Sequence, residues 1–212
     1  TNTNFNTLRS FAVKGVTEGV VLRPGPDVSS TDSGCWYNSF IDFQILNCER
    51  GILLDEGPNA GHSGVNRNNF IAGRIGAWGG PANTGLEIKS GDTNNFVSVH
   101  FEGIGSGTSP NTTPTAVKIH LGGPTYSVES HHNKFIFCEF EACTRNVEND
   151  HHDTEFWGCW GIGSSITGIS APRILAGGLK FDVQTTIKTP CLEVIGTALI
   201  DLNNDDSPTK HS

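Results

Sequence analysis

Apolar and polar positions alternate along this chain with a period of two, in short runs that return in the same frame. Residues 6–22 read NTLRSFAVKGVTEGVVL and residues 38–54 read NSFIDFQILNCERGILL, with Asn, apolar, Phe, apolar, Gly and apolar positions coinciding without a gap. The frame recurs at Asn68 (NNFIAGRI, then GLEIK from Gly85), at Asn94 (NNFVSVHF, then AVKIH from Ala116) and at Asn133 (NKFIFCEFEACTRNVEN). A sixth copy begins at Thr154 (TEFWGCWGI, then GLKFD from Gly178). The Asn starts lie 32, 30, 26 and 39 residues apart, so the pattern is held while the loops vary. Period two predicts strands, and a repeated frame with variable loops predicts stacked coils.

Each copy divides into two apolar runs separated by a bend. The first puts Phe11 and Val13, Phe43 and Ile45, Val99 and Phe101, and Cys138 and Phe140 on one face. The second puts Ile52 and Leu54, Leu86 and Ile88, Val117 and Ile119, and Leu179 and Phe181 inward. Equivalent residues of successive coils would stack about 4.8 Å apart, and the leading Asn suits a tight bend where its amide ladders with the next. The expectation is an all-β chain: a right-handed, single-stranded parallel β-helix of about six coils over residues 1–183. The runs CLEVIG and TALIDL would form a cap or trimer-forming end over 184–205, and 206–212 a disordered tail. An antiparallel sandwich also has short alternating runs, but it does not require one frame six times.

Composition agrees with strands and turns, with Gly 26 and Pro 10. The net charge of −8 argues against broad binding to nucleic acid or anionic membrane. No apolar run approaches the roughly 20 residues of a membrane-spanning helix. The start TNTNFN is no signal peptide, and without a Met the chain reads as processed or as a segment of a longer one. The six Cys have no CxxC metal spacing. Cys48 and Cys143 share one inward position, and Cys138 and Cys159 another, so buried free thiols are expected; only Cys138–Cys159 has the geometry for a bridge.

The frame also sorts the outward side chains. On the second run, Glu87, Lys118, Glu148 and Lys180 alternate in sign, and beside them run Arg23, Asp55, Lys89, His120, Asp150 and Asp182, a charge-paired seam. The first run carries an unbalanced strip: Gln44, Arg74, His100, Glu139 and Trp160, with Glu102 and Glu141 two residues further along. Carboxylates, an imidazole, a guanidinium and an indole are the set that a sugar-binding surface uses. Glu102, Glu139 and Glu141 are candidate acids and bases for glycoside hydrolysis, which wants carboxyls roughly 5–9.5 Å apart. In a lyase, His100 would be the base and Arg74 would neutralise a uronate, with Gln44 and Trp160 binding substrate. The alternative is a solvated face or a contact between subunits. His131–His132 and His151–His152, near Glu129, Asp150 and Asp153, read as turn residues rather than a metal site; no metal or cofactor is assigned. Asn111 heads a lone N-x-T sequon, and Trp36, Tyr37 and Trp78 are possible stacking surfaces in loops.

The N-x-F starts, G-h-x-h second runs and variable loops resemble the pectate-lyase-like β-helices of bacteriophage tailspikes and tail-fibre depolymerases, over about residues 6–183. The resemblance implies a homotrimer on a virion tail or in the extracellular space that binds, or also depolymerises, a bacterial surface polysaccharide through acidic residues in a groove. It implies no nucleic-acid partner and no membrane insertion. The scaffold also carries hydrolases, lyases, esterases and plain adhesins, so the resemblance selects no chemistry. The rival expectations are a structural virion or adhesin module and a secreted polysaccharide-degrading enzyme of cellular origin.

Overall fold

The computed structural model describes residues 4–24, 34–55, 64–77, 84–105, 114–120, 130–149 and 154–161, and beyond them the backbone of five short strands. Every strand pairing in the described residues is parallel, and no helix occurs among them. The chain is all-β, with two main stacks of parallel strands in curled sheets. One stack orders Glu18–Leu22, Arg50–Leu54, Thr84–Ile88, Thr115–Ile119, Arg145–Asn149 and Ile166–Thr167.

The other main sheet contains the first run of each copy, and here the structure corrects the two-run reading. The run splits into two strands in later copies: Asn69–Ile71 and Arg74–Gly76, Asn95–Val97 and His100–Glu102, Lys134–Ile136 and Glu139–Glu141. Between them Ala72, Ser98 and Phe137 hold φ near 52°, and Ser10 and Asp42 do the same in the longer strands Thr7–Lys14 and Ser39–Leu46. These left-handed residues reset the alternation. Phe96 and Val99, three apart, would face opposite sides of a straight strand, yet both are fully buried. Ser39–Leu46 runs through the bend, pairing with Asn69–Ile71 by one half and Arg74–Gly76 by the other, and thus joins both halves into one sheet.

Like stacks on like inside. Phe40, Phe70, Phe96, Phe135 and Phe156 form a column of near-parallel rings with centroids 4.7–4.8 Å apart, matching the spacing of paired strands. Phe101 lies over Phe140 at 5.1 Å. Phe43, Ile45, Ile52, Leu54, Leu86, Ile88, Val117, Ile119 and Phe140 are buried as the frame requires, while Phe11 and Val13, in the first copy, are partly buried against them. Gly73 takes the inward place held by Phe43 on the neighbouring strand, and the Phe43 ring fills the vacated space: a Cβ on Gly73 would sit 2.0 Å from its Cζ.

The Asn starts ladder as expected. Asn68 Oδ1 accepts from the Asn38 backbone N–H at 2.9 Å and its amide at 3.0 Å, and Asn94 and Asn133 repeat the arrangement on Asn68 and Asn94. The amides of Asn68, Asn94 and Asn133 also donate to the backbone carbonyls of Cys35, Val65 and Gly91, at 2.7–2.9 Å. Thr154 ends the ladder, donating instead to Asn149 Oδ1. Cys35, Cys48, Cys138, Cys143 and Cys159 are buried and form no disulfide among the described residues, Cys138–Cys159 included. Burial pushes the Cys143 thiol up to about 12 and raises that of Cys138 well above the ordinary thiol value.

The register also corrects the sixth copy. Glu148 pairs with Thr167, not Lys180; Leu179–Lys180 pairs with Ile200–Asp201, and Glu155–Trp157 is followed by Arg173–Leu175 and then Glu193–Ile195. The run GLKFD therefore does not continue the seam below Glu148. The strand at Arg173 escaped the frame because no Asn-x-Phe announces it. The side chains of Leu179, Lys180 and Phe181, together with Trp78, Asn111, Glu129, Asp150, His151, His152, Asp153, Asp182 and the tail, lie outside the described residues.

Candidate functional site

Parallel pairing places the outward row in register: Gln44 beside Arg74, Arg74 beside His100, His100 beside Glu139, and Glu139 bridged to Trp160. Two residues on, Leu46, Gly76, Glu102 and Glu141 form a second row. All seven residues expected at the strip are thus on one face. Gln44 is exposed at its start and Trp160 is 57% exposed at its end.

The carboxylates are not equivalent, however. The side chain of Glu102 is 6% exposed, whereas those of Glu139 and Glu141 are 50% and 57% exposed. Gly76 explains the difference, because the missing side chain one coil earlier leaves room for Glu102 to lean over it, its Cγ only 3.1 Å from where a Cβ would be. Glu102 Oε1 accepts from Arg74 Nη2 in an ion pair, and Oε2 lies 3.4 Å from His100 Nδ1. The hydrogen bond from Arg74 to Glu102 raises the guanidinium pKa further, against a smaller opposing effect of burial. Glu102 is therefore a buried counter-ion of Arg74 that also stands close to the imidazole; as an acid or base it would act from an engaged carboxylate, and Arg74 is half-committed before any uronate arrives.

His100 is held between carboxylates. Its Nε2 is 3.3 Å from Glu141 Oε2 and 4.0 Å from Glu139 Oε2, is buried, and makes no hydrogen bond among the described residues. Glu139 and Glu141, two apart on one strand, project from the same side about 7 Å apart along the backbone. That spacing permits an acid and a base to flank a glycosidic bond, and the imidazole can hold or pass a proton between them.

The other outward face is the charge-paired seam. Arg23 pairs with Asp55 at 2.6 Å, Lys89 with Asp55 at 3.7 Å and Lys118 with Glu148 at 3.2 Å. Glu87 is paired to His120 at 2.8 Å and to Arg50 at 2.7 Å, and Arg50 also reaches Glu18, so two residues that the frame left out complete the network. Burial pushes the carboxyl pKa of Glu87 up, but the His120 hydrogen bond and the Arg50 charge outweigh it and hold the group below its ordinary value. For Glu148 the same opposition is resolved downward by Lys118 and Arg145.

Two features were not anticipated. Ile41, Ile71, Val97 and Ile136 form a half-buried apolar row outside the Phe column that reaches Trp157, 41% exposed, and the register carries it on to Leu175 and Ile195. The x of N-x-F-x carried that signal in the sequence. The second is a cavity of about 250 Å³ at the corner before the Asn ladder, lined by Trp36, Tyr37, Asn66, Arg67 and Asp92. There Tyr37 stacks on Phe5 at 4.9 Å, and the Arg67 guanidinium lies 5.5 Å from the Tyr37 ring centre.

Compared with protein-family models, curated proteins and solved structures, the chain finds no match. No helix among the described residues is long and apolar enough to cross a membrane.

Proposed function

We propose that the chain is a right-handed parallel β-helix of the tailspike or tail-fibre kind, of about six coils or slightly more, whose outward strip binds a cell-surface polysaccharide. The observation that carries the reading is the register of the strip. An exposed indole at Trp160 adjoins Glu139, which lies beside His100 on its other side, and this provides a stacking face for a sugar ring on the same strip as groups that bond its hydroxyls. Cleavage is the stronger form of the proposal: Glu139 and Glu141 act as acid and base on a glycosidic bond, with His100 between them and Glu102 holding the imidazole. A virion tail or the extracellular space is the setting that such a ligand requires.

A second reading rests on the apolar row Ile41, Ile71, Val97, Ile136 and Trp157, which suits packing against further copies in a homotrimer. In that case the chain is a structural or adhesin module, and the strip either lies in the groove between subunits or is buried by them. Incubation with capsular polysaccharide and lipopolysaccharide, followed by product analysis, tests the enzymatic form. Shortened chains that disappear in Glu139→Gln and Glu141→Gln support it; undiminished cleavage by both variants removes these acids.

A further inference from the structure

Arg74 and Glu102 neutralise one another, and Glu102 turns its second oxygen to His100 Nδ1 at 3.4 Å. This leaves Nε2 as the free face of the ring. Nε2 is buried, makes no hydrogen bond among the described residues, and points at two carboxylates that no lysine or arginine pairs with among those residues. Donor atoms of His100, Glu102 and Glu141 all lie within 4.8 Å of one another. Two donors of one ion bound at about 2.1 Å stand roughly 3.0–3.4 Å apart, which is the separation of His100 Nε2 and Glu141 Oε2, 3.3 Å. Glu139 Oε2, at 4.0 Å on a half-exposed side chain, needs only a small rotation to join.

We infer that His100 Nε2, Glu141 and Glu139 form a binding site for a divalent transition-metal ion, with Glu102 as the carboxylate that orients the imidazole. The charges suit a cation: Glu139 and Glu141 have no lysine or arginine within ion-pair distance among the described residues, although the Arg74 guanidinium paired to Glu102 also feels the charge of Glu141. Glu102 Oε2 lies 3.4 Å from His100 Nδ1, close to the place from which a buried carboxylate accepts the other N–H of a ligating histidine and sets its tautomer and ring plane. A mixed nitrogen and oxygen donor set favours zinc or manganese over calcium, which prefers oxygen alone. The inference stands on the geometry of the strip and does not depend on the polysaccharide assigned to it; with the ion bound, His100, Glu139 and Glu141 are ligands, so the acid and base roles proposed for cleavage belong to the metal-free strip.

Isothermal titration of the full chain with zinc chloride, in a buffer without sugar or chelator, tests it. The expected result is one site per chain, weakened at least about 10-fold in His100→Ala and in Glu141→Gln, and about 10-fold in Glu102→Gln. Calcium chloride should bind more weakly than zinc. Glu141 is 57% exposed, so Glu141→Gln decides the matter if His100→Ala does not fold. Absence of zinc binding overturns the inference. So does binding at undiminished affinity in both His100→Ala and Glu141→Gln, which would place the ion elsewhere, as on His131 and His132.

Discussion

Glu102 faces His100 through Oε2 at 3.4 Å while Arg74 holds its other oxygen, and the three residues form one unit built across two paired strands. Glu102→Gln keeps the shape but removes the charge that both neighbours use. The expected result is weaker polysaccharide binding with little loss of thermal stability, checked by comparing affinity and melting temperature in one preparation. Gly76→Ala tests the same unit from below. Its Cβ would meet Glu102 Cγ at 3.1 Å, so the carboxylate must shift and the binding loss should resemble that of Glu102→Gln.

The Asn ladder should dominate local stability. Asn94→Ala removes the acceptor for the buried Asn68 N–H and for its amide, and leaves Val65 O without its donor. A loss of about 3 kcal/mol is expected in urea denaturation, because each buried polar group left unpaired costs roughly 1–3 kcal/mol. Asn6→Ala, at the more open first coil, should cost less.

Gly73→Ala places a methyl group 2.0 Å from the Phe43 ring. The ring cannot leave without disturbing Phe70, which it meets edge-on at 6.3 Å. A destabilisation of about 1–3 kcal/mol follows, and Phe43→Leu in the same chain should recover part of it.

Glu87 and Glu148 have carboxyl pKa values held below the ordinary 4.5. A depressed folded-state pKa contributes stability that is complete above the unfolded value and is lost as pH falls through the folded one. The melting temperature should therefore be insensitive to these groups above about pH 5.5 and decline below 4.5. Glu87→Gln should flatten part of that decline, measured as melting temperature against pH.

The parallel stacking of strands is legible in the sequence because like residues in register make each copy predict the next. Once Phe43 and Ile45 are assigned inward, Gln44 must face outward, and the register carries that assignment through Arg74, His100, Glu139 and Trp160. What one coil's alternation does not show is the left-handed residue at Ala72, Ser98 and Phe137, since Ala, Ser and Phe are not the residues that usually mark such a bend. The unequal burial of Glu102 and Glu141 depends on Gly76 in a different coil. The pairing of Glu87 with Arg50 is a diagonal contact that a row-by-row reading passes over.

The most direct test of the central claim is the affinity of the chain for immobilised capsular polysaccharide and lipopolysaccharide, measured for the parent and for Trp160→Ala with Trp157→Ala alongside. A polysaccharide bound by the parent, with binding lost in Trp160→Ala and kept in Trp157→Ala, is the predicted result. Binding that survives Trp160→Ala, His100→Ala and Glu139→Gln alike would contradict the assignment of the strip as the polysaccharide surface.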